Sequence, residues 1–568
     1  MTVISQLIET LRRQGDQICL RVVEAPGARV VHEFTGAQLL RAQDFARRQE
    51  IADDARVVLL LLPHSPELFL LQIGLTLIGK TPAVLPWPTT RVDAFKYQRN
   101  LLQQLNQLPA DHLITLPQLA KNVAPGVAFP ITGCELAASR LFESMFLERF
   151  AVEADRKPRA AHRQTLPDDA LFLQFSGGTT GTQKCVVVTS AMLSAQIQSL
   201  SQALKQNDDD GVVSWLPLYH DMGLIACLYF PLLRGIPSLH LSASDWLMRP
   251  EQLFEYIERY HATFCWLPNF AFSYLAQRRE MMEGRCGLGH MRAWINCSEP
   301  IRHKSIDDFA ECFGDWGVDR AAMQASYAMA ENVFAVTQST IGAPLSLVKR
   351  SKVQGAALAS SDDAFELSDD VYVSSGRCLD RMNIRIVARD GSTCPDLVAG
   401  EIQLRTSCLF DGYWDRAGFR RDVFTAEGWY LTGDFGFLSD GQLFVIGRMK
   451  DIIIVAGQNI FPEDIETLTS QIEGVYPGRV VAFGVENEEL GTQAIGIVAE
   501  VRGEFDPAIA DRIEKEIRSQ ISASLGVAPR YVSVVPQRWI IKSTAGKISR
   551  GDTRDRFLRE QQLAVVGG

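Results

Sequence analysis

One short segment combines the residue types that a phosphate-binding loop needs. Residues 176–184 read Ser-Gly-Gly-Thr-Thr-Gly-Thr-Gln-Lys and lie between strand-like runs at 170–175 and 185–188. Glycines let backbone N–H groups approach phosphate oxygens, hydroxyls donate hydrogen bonds, and lysine adds positive charge. The spacing does not fit the G-x-x-x-x-G-K-[ST] phosphate loop. The segment therefore predicts either a different phosphate-binding loop or an ordinary hairpin rich in glycine and threonine.

Five further motifs follow this loop along the chain. They are Leu216-Pro217-Leu218-Tyr219-His220-Asp221-Met222-Gly223, Tyr327-Ala328-Met329-Ala330-Glu331, Tyr430-Leu431-Thr432-Gly433-Asp434, Gly447-Arg448-Met449-Lys450-Asp451 and Gly546-Lys547. The ordered series resembles the acyl-adenylate-forming superfamily of acyl-CoA synthetases, peptide-synthetase adenylation domains and luciferases, from about residue 39 to the C-terminus. The resemblance implies an enzyme that converts a carboxylic acid and ATP into acyl-AMP and pyrophosphate.

Within that superfamily the chain looks most like the fatty acyl-AMP ligases. Three features carry this closer resemblance: the segment 215–224, the segment Pro268-Asn269-Phe270-Ala271, and the long stretch 331–376, which resembles an insertion typical of those ligases. The resemblance implies a medium- or long-chain fatty acid as substrate. It also implies that the insertion disfavours CoA, so that the acyl group passes to the phosphopantetheine of a carrier protein.

Two alternatives stay open on the sequence alone. The loop carries Gly177-Gly178 and lacks a proline that is usual in the superfamily, which is compatible with an acyl-CoA or aryl-acid CoA ligase. The second alternative is an inactive scaffold that binds an acyl group or a nucleotide on the same fold. The presence of the charged motif residues argues against it.

The resemblance places the triphosphate of ATP in the glycine-rich loop. Thr179, Thr180 and Lys184 would hold the β- and γ-phosphates. The implied loop residues are Ser176, Gly177, Gly178, Thr179, Thr180, Gly181, Thr182 and Lys184.

Residues of later motifs would bind the adenosine part. Segment 296–300 and Tyr327 would pack on adenine, and Asp434 would accept hydrogen bonds from the ribose hydroxyls. Arg448 would reach the ribose or the phosphates. The implied residues are Ser298, Glu299, Pro300, Ser326, Tyr327, Ala328, Asp434 and Arg448. Without the motifs, Tyr327 is interpreted as a core aromatic, Asp434 as part of a Gly-Asp turn and Arg448 as a solvated charge.

Four residues are candidates for the chemistry itself. The resemblance implies that Glu331, with Thr180, binds Mg²⁺, a hard cation that suits carboxylate and phosphate oxygens. It also implies that Lys547 bridges the acid carboxylate and the α-phosphate, where negative charge develops. His220 could position the substrate carboxylate or gate the acyl pocket. The alternative for Glu331 is a carboxylate at a helix N-terminus, and for His220 a structural role.

Two further groups complete the predicted site. Lys450 or its neighbour Asp451 would be the hinge about which a small C-terminal domain swings. The predicted wall of the acyl pocket comprises His220, Trp266, Asn269, Phe270 and Phe272. The alternative for the aromatic residues is ordinary core packing.

The elements that must position these residues alternate in type. Strand-like runs at 57–62, 81–86, 212–216, 263–267 and 292–295 precede helical patterns such as 66–78. This alternation is typical of α/β layers with parallel strands. From about residue 400 turns separate short strands, and after Arg448 the pattern predicts a compact α+β unit. We therefore predict a large multi-subdomain α/β domain over 1–448 and a small mobile domain over 449–568.

Charge and cysteine usage limit the class of protein. The 568 residues carry 57 basic and 67 acidic side chains, a net charge of −10 that argues against a general binder of nucleic acid. The eleven cysteines are scattered without metal-ligand spacing, as expected for reduced thiols. Apolar runs have strand length, so the sequence predicts no signal peptide and no transmembrane segment. The expected location is the cytoplasm.

Overall fold

The computed structural model describes sixteen stretches of the chain, and the architecture below refers to them. They are residues 2–24, 30–87, 97, 101–102, 104–105, 108, 110–123, 129–134, 166–176, 184–282, 284–355, 371–415, 418–455, 458–487, 492–542 and 548–561.

Strands supply most of the framework. They are β1 Ile18–Val23, β2 Val31–Thr35, β3 Val57–Leu61, β4 Thr81–Val84, β5 His112–Thr115, β6 Ile131–Gly133, β7 Ala170–Ser176, β8 Lys184–Thr189, β9 Val212–Ser214, β10 Ser238–His240, β11 Phe264–Leu267, β12 Ala293–Cys297, β13 Met323–Ala328, β14 Ala335–Gln338, β15 Leu347–Lys349, β16 Val371–Val373, β17 Arg377–Cys378, β18 Met382–Val387, β19 Gly400–Thr406, β20 Tyr413–Asp415, β21 Gly418–Arg420, β22 Tyr430–Ser439, β23 Gln442–Arg448, β24 Ile453–Val455, β25 Gln458–Ile460, β26 Val475–Asn487, β27 Thr492–Val501 and β28 Tyr531–Val535.

Helices connect these strands and cover the sheets. The α-helices are Val3–Gln14, Gly36–Leu40, Ala42–Arg47, Pro66–Leu77, Pro117–Val123, Ser190–Ala203, Phe230–Arg234, Ala243–Met248, Glu251–Tyr260, Asn269–Ala276, His303–Cys312, Pro462–Ser470, Pro507–Leu525 and Arg550–Glu560. A π-helix spans Met222–Tyr229, and short 3-10 turns include Ala330–Asn332 and Met449–Asp451. The predicted helix at 66–78 is confirmed, with Ser65 capping its N-terminus and proline at its first position.

The larger sheet has the strand order β18-β19-β22-β23-β17-β14-β13-β12-β11-β9-β10-β1-β2 in the described residues. Its centre, β1-β10-β9-β11-β12-β13, is parallel, while β14 and the strands beyond it pair antiparallel. Parallel strands put their carboxyl ends at one edge, where α/β proteins bind ligands. The larger sheet therefore has an edge formed by the carboxyl ends of β9, β11, β12 and β13.

A second sheet has the order β21-β20-β8-β7-β4-β3-β5-β6 in the same part of the chain. Strands β3–β7 are parallel where they pair, and β7 pairs antiparallel with β8, so the segment between β7 and β8 closes a hairpin. Both sheets share one continuous apolar core that runs from Val3 to Leu443. The predicted α/β class with parallel strands is confirmed.

The C-terminal part has a core of its own. Strands β26-β27-β28 form a small sheet, and an apolar cluster between Ile453 and Val534 packs beneath it. In the helix Pro507–Leu525, Ile513, Ile517 and Ile521 are fully buried, but Ile509 is 40% exposed. A four-residue spacing drifts about 40° per step on a helix of 3.6 residues per turn, so Ala510 takes the buried position instead. The boundary at 448/449 stays a prediction.

Candidate active site

Predicted site residues gather at the carboxyl edge of the larger sheet. His220 follows β9, Asn269 follows β11, Ser298 follows β12, and Ala328 ends β13. Because these strands are neighbours, their ends meet although 108 residues separate the first from the last along the chain. Four further predicted residues lie on β8, on the turn after β13, and on β22 and β23: Lys184, Glu331, Asp434 and Arg448.

The glycine-rich segment closes the β7–β8 hairpin. Ser176 and Lys184 are cross-strand partners at its base, and the Lys184 ammonium lies 4.4 Å from the ring centroid of Tyr413. The antiparallel pairing of β7 and β8 is shared by both interpretations of the sequence, and phosphate binding stays a prediction. The residues between them lie outside the described residues and their roles stay predictions: Gly177, Gly178, Thr179, Thr180, Gly181 and Thr182.

Glu331 occupies a tightly held 3-10 turn between β13 and β14. The Gln174 side-chain amide donates to the backbone oxygens of Ala330 and Val333, at 2.8 and 2.9 Å. The Phe410 backbone N–H donates to the Glu331 carbonyl oxygen. The alternative of a carboxylate at an α-helix N-terminus does not apply, because the turn returns directly into β14. Glu331 is thus fixed by backbone contacts from two distant segments.

The Glu331 carboxylate is buried and hydrogen-bonded. The Tyr413 hydroxyl donates to its Oε1 at 2.5 Å and lies 3.1 Å from the Tyr430 hydroxyl. Burial raises the pKa of Glu331, and the hydrogen bond from Tyr413 opposes that shift. A buried carboxylate with a raised pKa gains stability from a nearby cation.

Asp434 joins two strands of the same sheet to β13. It pairs with Arg448 across β22 and β23, and the Arg448 Nε lies 3.0 Å from its Oδ1. The Tyr327 hydroxyl donates to Asp434 Oδ2 at 2.6 Å. Arg448 is 46% exposed at its side chain, whereas Asp434 is almost buried. The structure therefore brings these three predicted residues into one group, with Arg448 toward solvent.

His220 lies at the start of the π-helix. Its Nδ1 is 2.6 Å from Asp221 Oδ1, and the Met222 backbone N–H points at both side chains. A Cβ on Gly223 would stand 2.3 Å from the Pro217 carbonyl oxygen, so glycine allows the helix to pack on the motif's own backbone. His220 is thus positioned at the edge without being fully buried.

Segment 296–300 contacts the helix that begins at Asn269. Glu299 Oε2 accepts the Phe270 backbone N–H, and Ser298, with φ +74°, lies 4.0 Å from Met222 Sδ. Asn269 accepts hydrogen bonds from Asn296 and from the Arg302 backbone. Glu299 and Asn269 therefore brace the edge by hydrogen bonds.

The predicted pocket aromatics divide between core and edge. Trp266 is fully buried against Phe230 and Phe264, and Phe272 is fully buried as well. Phe270 is half-buried and lies edge-on to a stacked pair of Trp215 and Trp246, whose centroids are 3.9 Å apart. This geometry favours core packing for Trp266 and Phe272; a pocket role stays a prediction.

Three other residues predicted for the adenosine site lie on paired strands or beside a cleft. Ser326 donates from Oγ to the Thr337 carbonyl oxygen, and Ala328 pairs with Ala335. Pro300 lines a small open cleft together with Arg350, Tyr372 and Glu463. These positions leave their roles as predictions.

The predicted hinge forms the 3-10 turn Met449–Asp451 directly after β23. Burial lowers the pKa of Lys450, and Asp451 Oδ2 lies 3.7 Å from Arg550 Nε. Lys547, the predicted bridging lysine, lies outside the described residues. Its role therefore stays a prediction.

Sequence reasoning missed Tyr413 and Gln174. Gln174 has a visible signal, since it is a polar residue within the apolar run 170–175, and it is buried. Tyr413 has no local signal, because its partner Glu331 lies 82 residues away. Contacts of this kind arise only from the folded topology.

The residues present fit a Mg²⁺ ion. Glu331 offers a carboxylate oxygen, the hard donor that Mg²⁺ prefers, and the burial that raises its pKa favours a positive partner beside it. Within the described ranges, no group of three or more His, Cys, Asp or Glu side chains converges on a metal site. Mg²⁺ usually takes one or two carboxylates and completes its shell with water and substrate phosphates.

Comparison with known proteins identifies the family. The AMP-binding enzyme family matches residues 35–414. The chain therefore belongs to the AMP-binding enzyme family and is an adenylate-forming ligase. The resemblance predicted from the six motifs is confirmed. In the described stretches no helix combines the length and apolar character needed to cross a membrane.

Named relatives and solved structures show what the chain is similar to. The long-chain-fatty-acid–AMP ligase FadD28 of Mycobacterium tuberculosis is 30% identical, over 69% of this chain and 70% of that protein. The putative fatty-acid–CoA ligase FadD25 of the same organism is 31% identical, over 72% and 74%. A structure from a study of fatty acyl-adenylate ligases of E. coli and L. pneumophila has a TM-score of 0.78 at 22% identity, covering 99% of this chain and 98% of the other. It shows the shared fold.

Removing the Tyr413 hydroxyl should shift the pH profile of the enzyme. In Tyr413→Phe, Glu331 loses the hydrogen bond that opposes its raised pKa. If the activity needs ionised Glu331, the pH below which activity falls should therefore be higher in Tyr413→Phe than in the wild type. The measurement is kcat/KM for ATP against pH. Tyr476→Phe, on β26, is the matched control and should keep the wild-type pH profile. If activity in Tyr413→Phe falls at the same acid pH as in the wild type, the hydrogen bond from Tyr413 does not affect the titration of Glu331.

Proposed function

We propose that this ligase activates a medium- or long-chain fatty acid to acyl-AMP and passes the acyl group to a carrier-protein phosphopantetheine thiol. The contact set around Glu331 and Asp434 carries the proposal. Tyr413 joins Glu331 to Tyr430 and lies under Lys184, while Asp434 joins Tyr327 to Arg448. The two carboxylates that we propose for the cation and for the ribose thus lie near the same edge of the sheet.

The first half-reaction displaces pyrophosphate. A carboxylate oxygen of the acid attacks the α-phosphorus of ATP, and the bond from that phosphorus to the oxygen bridging the β-phosphate breaks. Pyrophosphate leaves and the acyl-AMP anhydride remains. Catalysis of such transfers consists mostly of positioning and charge stabilisation. Mg²⁺, when bound, neutralises phosphate charge; Glu331 and the hydroxyl of Thr180 would hold it.

The chain's own residues would share the remaining work. Lys184 would hold the β- and γ-phosphates, and Asp434 would accept the ribose hydroxyls with Arg448 alongside. Lys547 would stabilise the negative charge between the acid carboxylate and the α-phosphate. His220 would position the acid at the carboxyl end of β9. These assignments rest on the motifs and on the positions of Lys184, Asp434, Arg448 and His220 in the fold.

The second half-reaction transfers the acyl group. The thiolate attacks the acyl carbon, the bond from that carbon to the phosphate oxygen breaks, AMP leaves, and a thioester forms. The C-terminal domain would swing about Lys450 or Asp451 between the two steps. We place the reaction in the cytoplasm, where thiols stay reduced; none of the described cysteines forms a disulfide.

FadD25, to which this chain is similar, is a putative fatty-acid–CoA ligase, and CoA is therefore a second candidate acceptor. Both candidates can be tested together. The protein is incubated with ATP, Mg²⁺, a pool of fatty and aryl acids, and either CoA or a phosphopantetheinylated carrier protein, and the products are measured by mass spectrometry. Acyl-AMP that accumulates with CoA but is consumed by the carrier supports the proposal. Abundant acyl-CoA, or activation of aryl acids alone, contradicts it.

A further inference from the structure

Arg550 is the centre of a buried ionic cluster in the C-terminal part. It begins the helix Arg550–Glu560, and its side chain is 15% exposed. Its guanidinium pairs with Glu466, donates to the Ala482 carbonyl oxygen at 2.6 Å, and donates to Glu463 Oε1 at 3.1 Å. One arginine thus joins the final helix to the helix Pro462–Ser470 and to β26.

The same arginine stands at the base of the segment that carries Lys547. Ile548 follows Lys547 in the chain and forms a β-bridge with Lys542. The Ser549 backbone N–H donates to the Ile541 carbonyl oxygen at 2.8 Å. The residues that flank 543–547 are therefore paired with each other, and Arg550 directly follows them in the chain.

The partners of Arg550 also touch the predicted hinge and the first domain. Asp451, in the hinge turn, lies 3.7 Å from Arg550 Nε. A Cβ on Gly447 would stand 3.2 Å from Glu463 Oε2, and the Glu463 carbonyl oxygen accepts a hydrogen bond from Arg302 at 3.0 Å. The cluster therefore connects the base of the Lys547 segment to the place where the two domains meet.

The contacts between the final helix and the helix Pro462–Ser470 depend on the positive charge of Arg550. Glu463 and Glu466 share one guanidinium, and Glu463 Oε2 is buried without a hydrogen-bond partner. Burial raises the pKa of Glu463 to about 7, and Arg550 opposes the shift. Without the guanidinium, the carboxylates of Glu463 and Glu466, which are 14% and 20% exposed, would lose the positive charge that they share. The helix that starts at Arg550 would lose its anchor to Pro462–Ser470.

We propose that Arg550 is a positioning residue for acyl-AMP formation, which anchors the residues directly after Lys547, Ile548 and Ser549, to the hinge turn and to Glu463. This inference rests on the proposed function and on the assignment of Lys547. Arg550 acts through Lys547 and touches no reacting atom. Its loss should therefore lower the rate of the first half-reaction and leave transfer from a supplied acyl-AMP unchanged.

The test combines Arg550→Gln and Arg550→Lys with Lys547→Ala. We expect acid-dependent pyrophosphate exchange in Arg550→Gln to lose about 10- to 100-fold in kcat with the KM for ATP unchanged, because placement of the lysine is affected and ATP binding is not. Added to Lys547→Ala, Arg550→Gln should cause no further loss, since residues that act as a unit are non-additive. Arg550→Lys keeps one charge but cannot span three acceptors, so an intermediate loss is expected.

Controls separate positioning from stability. Arg554→Gln changes another arginine of the same helix that is 45% exposed and should match the wild type. Full additivity with Lys547→Ala, equal losses in both half-reactions, or an unaffected Arg550→Gln overturns the inference. If Arg550→Gln does not fold, Arg550→Lys is combined with Lys547→Ala instead, and the additivity of those two substitutions tests the inference. Absence of acid-dependent exchange in the wild-type protein contradicts the proposed function itself and removes this inference with it.

Discussion

Replacing Lys547 by alanine should lower acid-dependent pyrophosphate exchange by about 100- to 1,000-fold while the protein stays folded. A group placed where charge develops in the transition state typically contributes a loss of this size when it is removed. Lys547 directly precedes Ile548 in the chain, and the substitution does not change the residues of the Lys542–Ile548 β-bridge or of the helix Arg550–Glu560. Pyrophosphate exchange measures the first half-reaction directly.

The matched control for this variant is Lys515→Ala. Lys515 is an exposed lysine on the helix Pro507–Leu525 of the same domain. It should show the wild-type exchange rate and the wild-type unfolding midpoint. An undiminished exchange rate in Lys547→Ala contradicts the assignment of the bridging lysine.

Replacing Glu331 by glutamine should lower the rate of acyl-AMP formation by about 100-fold or more at limiting Mg²⁺. The amide keeps the shape and can still accept the Tyr413 hydrogen bond, but it lacks the charge that a hard cation needs. Saturating Mg²⁺ should recover part of the rate. The measurement is the initial rate as a function of Mg²⁺ concentration.

The control for the Glu331 variant is Glu427→Gln. The Glu427 side chain is 67% exposed and lies 3.7 Å from Arg385. We expect this variant to keep both the rate and the Mg²⁺ dependence of the wild type. If Glu331→Gln keeps them too, Glu331 does not hold the metal.

Local patterns predicted much of the fold. The apolar run at 57–62 and the helical pattern at 66–78 match β3 and Pro66–Leu77 within one residue at each end. Such elements depend on periodicity and capping, which act over a few residues. The four-residue spacing of Ile509, Ile513, Ile517 and Ile521 in the sequence predicts one buried face. Ile509 is 40% exposed, which shows the limit of this reasoning, because the drift of the helix decides burial together with the spacing.

Sequence motifs identified some residues of the candidate site, and the folded topology revealed the others. The motif series named Lys184, Glu331, Asp434 and Arg448, and the cross-strand pairing of Asp434 with Arg448 then follows from a short antiparallel turn. The Tyr413 contact joins segments 82 residues apart, and no local pattern encodes it. Arg550 was missed for the same reason, since a surface arginine and a buried anchor look alike in the sequence.

The most direct test of the central claim is acid-dependent pyrophosphate exchange by the wild-type protein with a series of fatty acids of increasing chain length. We predict exchange that requires ATP, Mg²⁺ and a fatty acid, with an optimum at medium or long chains and acyl-AMP recovered by mass spectrometry. Exchange with none of these acids, or exchange that does not depend on acid, would contradict it.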